Sequence, residues 1–283
     1  MKKSILIVGQ SNMAGRGFIN QVPEITDERI YMWRNTRWQM MNEPINFDRH
    51  VAGIGPSASF AAAWLLDHPE DEIAIIPCAE GGSTISEWQS DQPLFTNAIT
   101  QTKVALENTE LVAILWHQGE SDSHSDLYTN YEKKLIDVLE SFRSQLNLPN
   151  IPIVIGTLSD ELGKAGFGMS CTQSEKINDI IEKVGNSIPY VGLASAEGLS
   201  LNPDGIHLDS VSQRVFGIRY YQAYTKLMNY SKSLASEAAI LEDIYSKMPT
   251  QAEKMNKLNT QFALGKISID TYMESYQSIN QGE

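Results

Sequence analysis

The stretch Gly9-Gln10-Ser11-Asn12-Met13-Ala14-Gly15-Arg16-Gly17 decides how the chain is read. It follows the run Ser4-Ile5-Leu6-Ile7-Val8, which is short, apolar and rich in β-branched residues and predicts a fully buried strand. The chain then turns at a glycine and presents Gln, Ser and Asn before two further glycines. Ligands of open α/β sheets bind beyond the carboxyl ends of the strands, so Ser11 stands where such a sheet displays a nucleophile. Alone, the stretch reads equally well as a turn. It lacks the Gly-Lys-Ser/Thr ending of a phosphate loop and the G-x-G-x-x-G pattern of a dinucleotide site. With Met13 in the second glycine position it also lacks the G-x-S-x-G elbow.

Two more strands of the same kind supply context. Glu72-Ile73-Ala74-Ile75-Ile76-Pro77 empties into Cys78-Ala79-Glu80-Gly81-Gly82-Ser83-Thr84, and Leu111-Val112-Ala113-Ile114-Leu115-Trp116 into His117-Gln118-Gly119-Glu120-Ser121-Asp122. Further short strands are predicted over Arg29–Trp33, Ile151–Leu158 and Tyr190–Ala194. Helices are predicted over Ser57–Asp67 with Ser57 as N-cap, Pro93–Asn108, Leu127–Leu146, Thr172–Val184 and Val211–Tyr230. Alternating strands and helices predict a parallel sheet covered on both faces. On such a sheet the three polar, glycine-bearing loops share one edge, which joins three weak local signals into one. The region from Asn35 to Gly55 has no period and is expected to be a long excursion over the sheet.

The 283 residues, 42% of them hydrophobic, suit one large α/β domain with a small appendage. A net charge of −13 without any Lys/Arg block argues against nucleic acid and anionic membrane surfaces as partners. No apolar run reaches membrane-spanning length. The run after Met1-Lys2-Lys3 is too short for a signal-peptide core, and cleavage there would remove Ser11. The chain as it stands is therefore expected in the cytoplasm, the alternatives being a removed leader or another secretion route. Cys78 and Cys171 are expected to be reduced, buried thiols.

Ester hydrolysis needs a nucleophile, a base, a group that orients the base, and donors for the oxyanion. Ser11 can be the nucleophile. The histidines are His50, His68, His117, His124 and His207. His207 differs from the rest because Asp204, in the turn Asn202-Pro203-Asp204-Gly205, precedes it by three residues. A carboxylate so placed can fix the imidazole tautomer and stabilise the imidazolium; the plainer reading is a surface turn with a capping Asp. Oxyanion donors are available from the Ser11 and Gly82 backbone and from the Gln118 side chain. The plainer readings there are a simple turn at Gly81-Gly82 and a buried Gln118 amide satisfying loop carbonyls.

Four blocks in order, Gly9–Gly15, Gly81-Gly82-Ser83-Thr84-Ile85-Ser86-Glu87-Trp88, Trp116–Asp122 and Asp204-Gly205-Ile206-His207, resemble the SGNH hydrolase superfamily. Within it they are most similar to carbohydrate esterases of the sialate O-acetylesterase and acetylxylan esterase type, as are Gly55-Pro56 and Phe60-Ala61. The resemblance covers about residues 4–229. It implies a flavodoxin-like three-layer α/β/α sandwich with a central parallel sheet. It also implies a Ser11–Asp204–His207 triad and an oxyanion hole of Ser11, Gly82 and Gln118, with Asn12, Gly81 and Glu120 as supporting candidates. Ser212-Gln213 departs from the expected Gly-Gln. Glu120 is a second candidate for orienting His207, its plainer reading being a buried carboxylate that organises the Gln118 loop; Asp204 is favoured.

The expected activity is removal of acetyl groups from carbohydrate hydroxyls through an acetyl-enzyme on Ser11, with no metal or organic cofactor. The alternatives are a lipase-like or thioester-cleaving SGNH hydrolase, or a non-catalytic carbohydrate-binding or assembly module on the same fold. The domain is expected over 1–230 and a helical extension over 231–283. In the extension Leu234, Ala238, Leu241, Ile244 and Tyr245 are helix-spaced, Pro249 begins a second helix through Leu264, and Ser268 caps a third. Leu258–Tyr276 is similar to C-terminal hairpins that serve homo-oligomerisation, the plainer reading being a solvated helical extension, and the extension is expected to be dispensable for chemistry.

Overall fold

Alternation along β1 (Lys2–Gly9) sets the layers. Ile5 and Ile7 point into one apolar core and Leu6 and Val8 into the other, and all four are fully buried. The computed structural model describes residues 1–228 and 236–281. Around β1 lie β2 (Ile30–Arg34), β3 (Arg37–Met40), β4 (Ile73–Pro77), β5 (Thr109–His117), β6 (Ile153–Gly156) and β7 (Val191–Ala194). Their order is β3-β2-β4-β1-β5-β6-β7. Every neighbouring pair is parallel except the β2–β3 hairpin.

The helices are α1 (Ser11–Ala14), α2 (Ser57–Asp67), α3 (Pro93–Ala105), α4 (Tyr131–Leu146), α5 (Ser174–Ser187) and α6 (Ser210–Leu227). α2 and α6 cover the Ile5/Ile7 face with Phe60, Trp64, Phe216 and Tyr220. α3, α4 and α5 cover the other face with Phe95, Leu135, Phe142 and Ile177. The result is a three-layer α/β/α sandwich. β1 lies between β4 and β5, where the direction of chain crossover reverses, so the loops leaving β4, β1 and β5 are neighbours at a topological switch point.

The 35–55 excursion contains a strand that its composition hides. Asn35 and Thr36 both take positive φ (51° and 57°), forming a tight two-residue turn that brings β3 back against β2. Trp33 and Trp38 pair across it with ring centroids 4.7 Å apart. Ser57 is the first residue of α2 rather than its cap; Pro56 takes the cap position. Leu127–Asn130 forms a separate 3₁₀ turn before α4. Cys78 and Cys171 are buried free thiols. Among the described residues no helix is long and apolar enough to cross a membrane.

The C-terminal segment contains α7 (Glu237–Ser246), α8 (Gln251–Ala263) and α9 (Ile269–Gln281). The expected boundary at 230/231 and Leu234 lie outside the described residues. The segment is docked on the sandwich. Ile244 joins the α2/α6 core. Thr250 caps α8 in a box with Glu253, not Pro249 as its start implied. Glu253, 1% exposed, accepts hydrogen bonds from Glu28 N (2.8 Å), Thr250 N (3.0 Å) and Lys247 Nζ (2.6 Å). One buried carboxylate thus ties α7, α8 and the loop before β2 together.

Candidate active site

The site starts at Gly9. Its φ is +122°, and a Cβ there would stand 2.0 Å from the His117 carbonyl oxygen. Only glycine lets the end of β1 lie this close to β5, and Gln10 N then donates to His117 O at 2.8 Å. Ser11 follows as the first residue of α1, 5% exposed.

The turn before α6 brings His207 to Ser11. His207 Nε2 lies 3.0 Å from Ser11 Oγ, and His207 Nδ1 lies 2.8 Å from Asp204 Oδ2. With Nδ1–H donating to the carboxylate, Nε2 is left to accept the serine proton. Asp204 Oδ1 accepts from the backbone N–H groups of Ile206 and His207, each at 3.0 Å. Partial burial works to raise the Asp204 carboxyl, but those two amides and the His207 ring outweigh it and hold the group below its ordinary value.

Asn12 connects the serine to the histidine turn. Its Nδ2 donates to Glu120 Oε1 (2.6 Å) and Ile206 O (3.1 Å), and its Oδ1 accepts from Leu208 N (2.9 Å). The residues flanking His207 are therefore pinned to the residue after Ser11. Gln213 Nε2 donates to Asn12 O at 3.2 Å, so the Ser212-Gln213 pair keeps this tie despite its departure from Gly-Gln.

The loop after β4 is set by a buried ion pair. Arg16 and Asp48 are joined side chain to side chain, and Asp48 Oδ2 also accepts from Gly81 N at 2.8 Å. Asn46 Nδ2 donates to Asp48 Oδ1 (3.0 Å) and Ala79 O (2.9 Å). Burial would raise the Asp48 carboxyl, and the Arg16 guanidinium, helped by the Gly81 amide, holds it down instead. Gly82 follows with φ +80° and open space where a Cβ would stand. Among the described residues neither Ser11 N–H nor Gly82 N–H donates to a protein acceptor.

The loop after β5 differs from expectation at Gln118. Its side chain is fully buried, and Nε2 donates to Asp122 Oδ2 (2.7 Å), Gln10 Oε1 (3.1 Å) and Ser83 O (3.1 Å). Two hydrogens facing three acceptors leave none for an acyl oxygen. In this arrangement Gln118 ties the three loops together rather than contributing an oxyanion donor. Burial raises the Asp122 carboxyl even though Ile85 N–H and Gln118 pull it down. Glu120, 2% exposed, meets Asn12 and lies 3.6 Å from His117 Nδ1, and the carboxylate on His207 is Asp204. Glu120→Ala is expected to cost about 1–3 kcal/mol, because a buried Asn12 donor loses its acceptor. Thermal melts would show a lowered Tm; an unchanged Tm would remove Glu120 from this role.

A cleft of about 710 Å³ opens beside this cluster, lined by Asp204 and His207 with Arg16, Phe18, Val51 and Lys266 among others. Lys266 belongs to the turn between α8 and α9, far from the sandwich in sequence. Arg16, Asn46 and Asp48 carried no readable signal: Arg16 sits inside the quoted motif without a role, and the other two fall in the aperiodic excursion.

A family model described as carbohydrate esterase, sialic acid-specific acetylesterase, matches residues 1–226. A probable carbohydrate esterase of Arabidopsis thaliana is 30% identical over 244 residues, 77% of this chain and 88% of that protein. The X-ray structure of the Arabidopsis protein superposes with a TM-score of 0.71 at 26% identity, covering 80% of this chain and 98% of that one. NanS (TM-score 0.62, 18% identity, 81% and 98% covered) shares the fold. So does a carbohydrate acetylesterase of Xanthomonas citri (0.57, 17%, 82% and 57%).

Proposed function

Because the chain belongs to the carbohydrate esterase, sialic acid-specific acetylesterase family, it is an acetylesterase, and we propose that it removes O-acetyl groups from sugars through an acetyl-enzyme on Ser11. The observation that carries this reading is the Ser11–His207–Asp204 relay, with contacts of 3.0 and 2.8 Å at the wall of an open cleft. Ser11 Oγ attacks the acetyl carbon while His207 Nε2 takes its proton. The Ser11 and Gly82 amides receive the oxyanion, and Asp204 stabilises the imidazolium. His207 then hands the proton to the departing sugar oxygen. Water attacks the acetyl-enzyme with His207 again as base, releasing acetate and restoring Ser11.

Rapid quench with p-nitrophenyl acetate, followed by peptide mass spectrometry, tests the intermediate. An acetyl increment on the Ser11 peptide is expected. Steady turnover without label on that peptide, even in a slow-deacylating variant, would overturn the covalent step. Sialic acid and xylan type acetyl esters are the two substrate classes proposed, and a side-by-side screen of acetylated sialic acid and acetylated xylan separates them.

The exposed side chains of Phe18, Ile19 and Val51 on the cleft favour, as a second reading, a longer acyl chain. Acyl length distinguishes the two. On the sugar-ester reading kcat/KM is expected to fall by about tenfold or more from acetyl to butyryl p-nitrophenyl esters, since each added methylene must find room beside Ser11. A maximum at octanoyl would move the protein to the lipase-like reading.

A further inference from the structure

The cleft at His207 does not end at the sandwich. A second cavity, of about 690 Å³, shares Ile19, Asn20 and Lys266 with it and runs on between helix α8 and residues of the 19–24 loop, the end of β2 and the 35–55 excursion. Thr260, Gln261 and Leu264 of α8 and its following turn form one wall, and Arg34 at the end of β2 with Asn42 and Phe47 of the excursion line the other. Each cavity alone lies within the roughly 300–1,000 Å³ of an ordinary small-molecule site, so the pair exceeds what one sugar ring fills. Apolar faces beside side-chain amides suit sugar rings, whose C–H faces and hydroxyls need both.

The charges in the second cavity are unbalanced. Glu43 is joined to Arg214 (2.5 Å) and Glu24 to Lys257 (2.9 Å). Among the described residues neither Arg34 nor Lys266 has a carboxylate partner. The Arg34 guanidinium stacks 3.7 Å from the Phe47 ring centroid. Among the described residues its Nη2 reaches only Met32 Sδ and Pro44 O, both at 3.4 Å, and its Nε is buried without a partner. Burial pushes Arg34 below its ordinary value, a penalty that a bound anion relieves. In a chain of net charge −13 this pocket carries two cations without a carboxylate partner among the described residues, and it adjoins the cleft lined by Asp204 and His207.

Resting on the Ser11 reading above, we infer that the C-terminal helices complete an extended glycan cleft for an acetylated oligosaccharide. The ester-bearing unit lies at Ser11, and a carboxylate-bearing neighbour lies in the second cavity against Arg34 and Lys266. Lys266, at the junction of the two cavities, is a substrate-positioning residue supplied from outside the 1–226 stretch that the family model matches. The Glu253 anchor, which fixes α8 on the loop before β2, keeps that wall in place.

The test uses the full chain and two acetylated oligosaccharides of equal length, one carrying a uronic acid unit and one neutral. The wild type is expected to favour the acidic one in kcat/KM by about tenfold at low salt, and the preference should shrink as salt screens the contact. Lys266→Glu should cut the acidic-to-neutral ratio by about tenfold or more, through KM rather than kcat. Lys266 is exposed, so its replacement leaves no buried gap; Arg34→Gln is the second variant and should lower the same ratio. Equal kcat/KM for the two wild-type substrates, or a ratio untouched in both variants, overturns the inference. So does an acetylated monosaccharide that performs as well as the acidic oligosaccharide. Wild-type cleavage of p-nitrophenyl acetate, and its loss in Ser11→Ala, report separately on the Ser11 reading.

Discussion

Ser11→Ala is expected to lower kcat for acetyl esters by about 10³–10⁶-fold, measured with p-nitrophenyl acetate on protein free of wild-type contamination. The upper end is what loss of a serine nucleophile costs a serine protease, and the lower end allows for residual catalysis by binding and oxyanion donors. Both amides of the proposed oxyanion hole, on Ser11 and Gly82, belong to the backbone and survive the substitution. The fold should survive too. The side chain lost makes one described hydrogen bond, to His207 Nε2 at 3.0 Å, and its net worth is about 1 kcal/mol. His207 keeps its Asp204 contact and its pinned flanks at Ile206 and Leu208. Turnover near the wild-type rate would take Ser11 out of the chemistry.

The sheet was legible wherever a strand is buried on both faces. β1, β4 and β5 read as continuous apolar runs because helices cover both sides, and the same runs end in the loops that meet at the switch point. β3 was not legible. Arg37-Trp38-Gln39-Met40 is a short edge strand whose positions are all intermediate or exposed, so burial imposes no alternation on it. Its turn uses Asn35 and Thr36 at positive φ without a glycine to announce it. The C-terminal helices were readable as helices from their spacing. Their docking was not, because it depends on Glu253 meeting Glu28 N and on Asn256 meeting Asn42, pairs more than 200 residues apart.

The candidate site divides in the same way. Asp204 and His207 share a turn, so a D-x-x-H spacing is enough to place the carboxylate on the ring. Ser11 follows a strand whose end a parallel sheet must expose. The supports depend on long-range contacts: Asn12 on Glu120 across 108 residues, and Arg16 on Asp48 across 32. No local pattern marks them. Gln118 shows the opposite limit. A family-like residue in the expected place has its amide hydrogens committed to neighbouring loops, and the acceptors it meets are set by the packing of three loops distant in sequence.

Asp204→Asn is the second large effect expected, a fall in kcat of about 10²–10⁴-fold. In the wild type Asp204 Oδ2 accepts from His207 Nδ1, which leaves Nε2 free to serve as the proposed base for Ser11. An asparagine amide can keep its oxygen on the Ile206 and His207 N–H groups and turn its Nδ2 toward the ring. The ring then meets a donor and answers with Nδ1 as acceptor, which moves its proton to Nε2 and blocks it as a base. In serine proteases that wrong tautomer costs about 10⁴ in kcat. The side chain here is 30% exposed, and water can relieve part of the mismatch, hence the lower bound. The acid limb of stability should change as well. The Asp204 carboxyl lies below its ordinary value in the folded chain, so its stabilising contribution is complete above the unfolded pKa, about 3.9. It is lost as pH falls through the lower folded value, and the asparagine variant should lack this component of acid unfolding. The measurements are kcat between pH 5 and 9 on the order of one-unit steps and acid unfolding below pH 5. A variant that keeps wild-type kcat while Glu120→Gln loses it would transfer the orienting role to Glu120. Structurally that would require His207 Nδ1 to leave Asp204 and cross to a carboxylate now held by Asn12 at 2.6 Å.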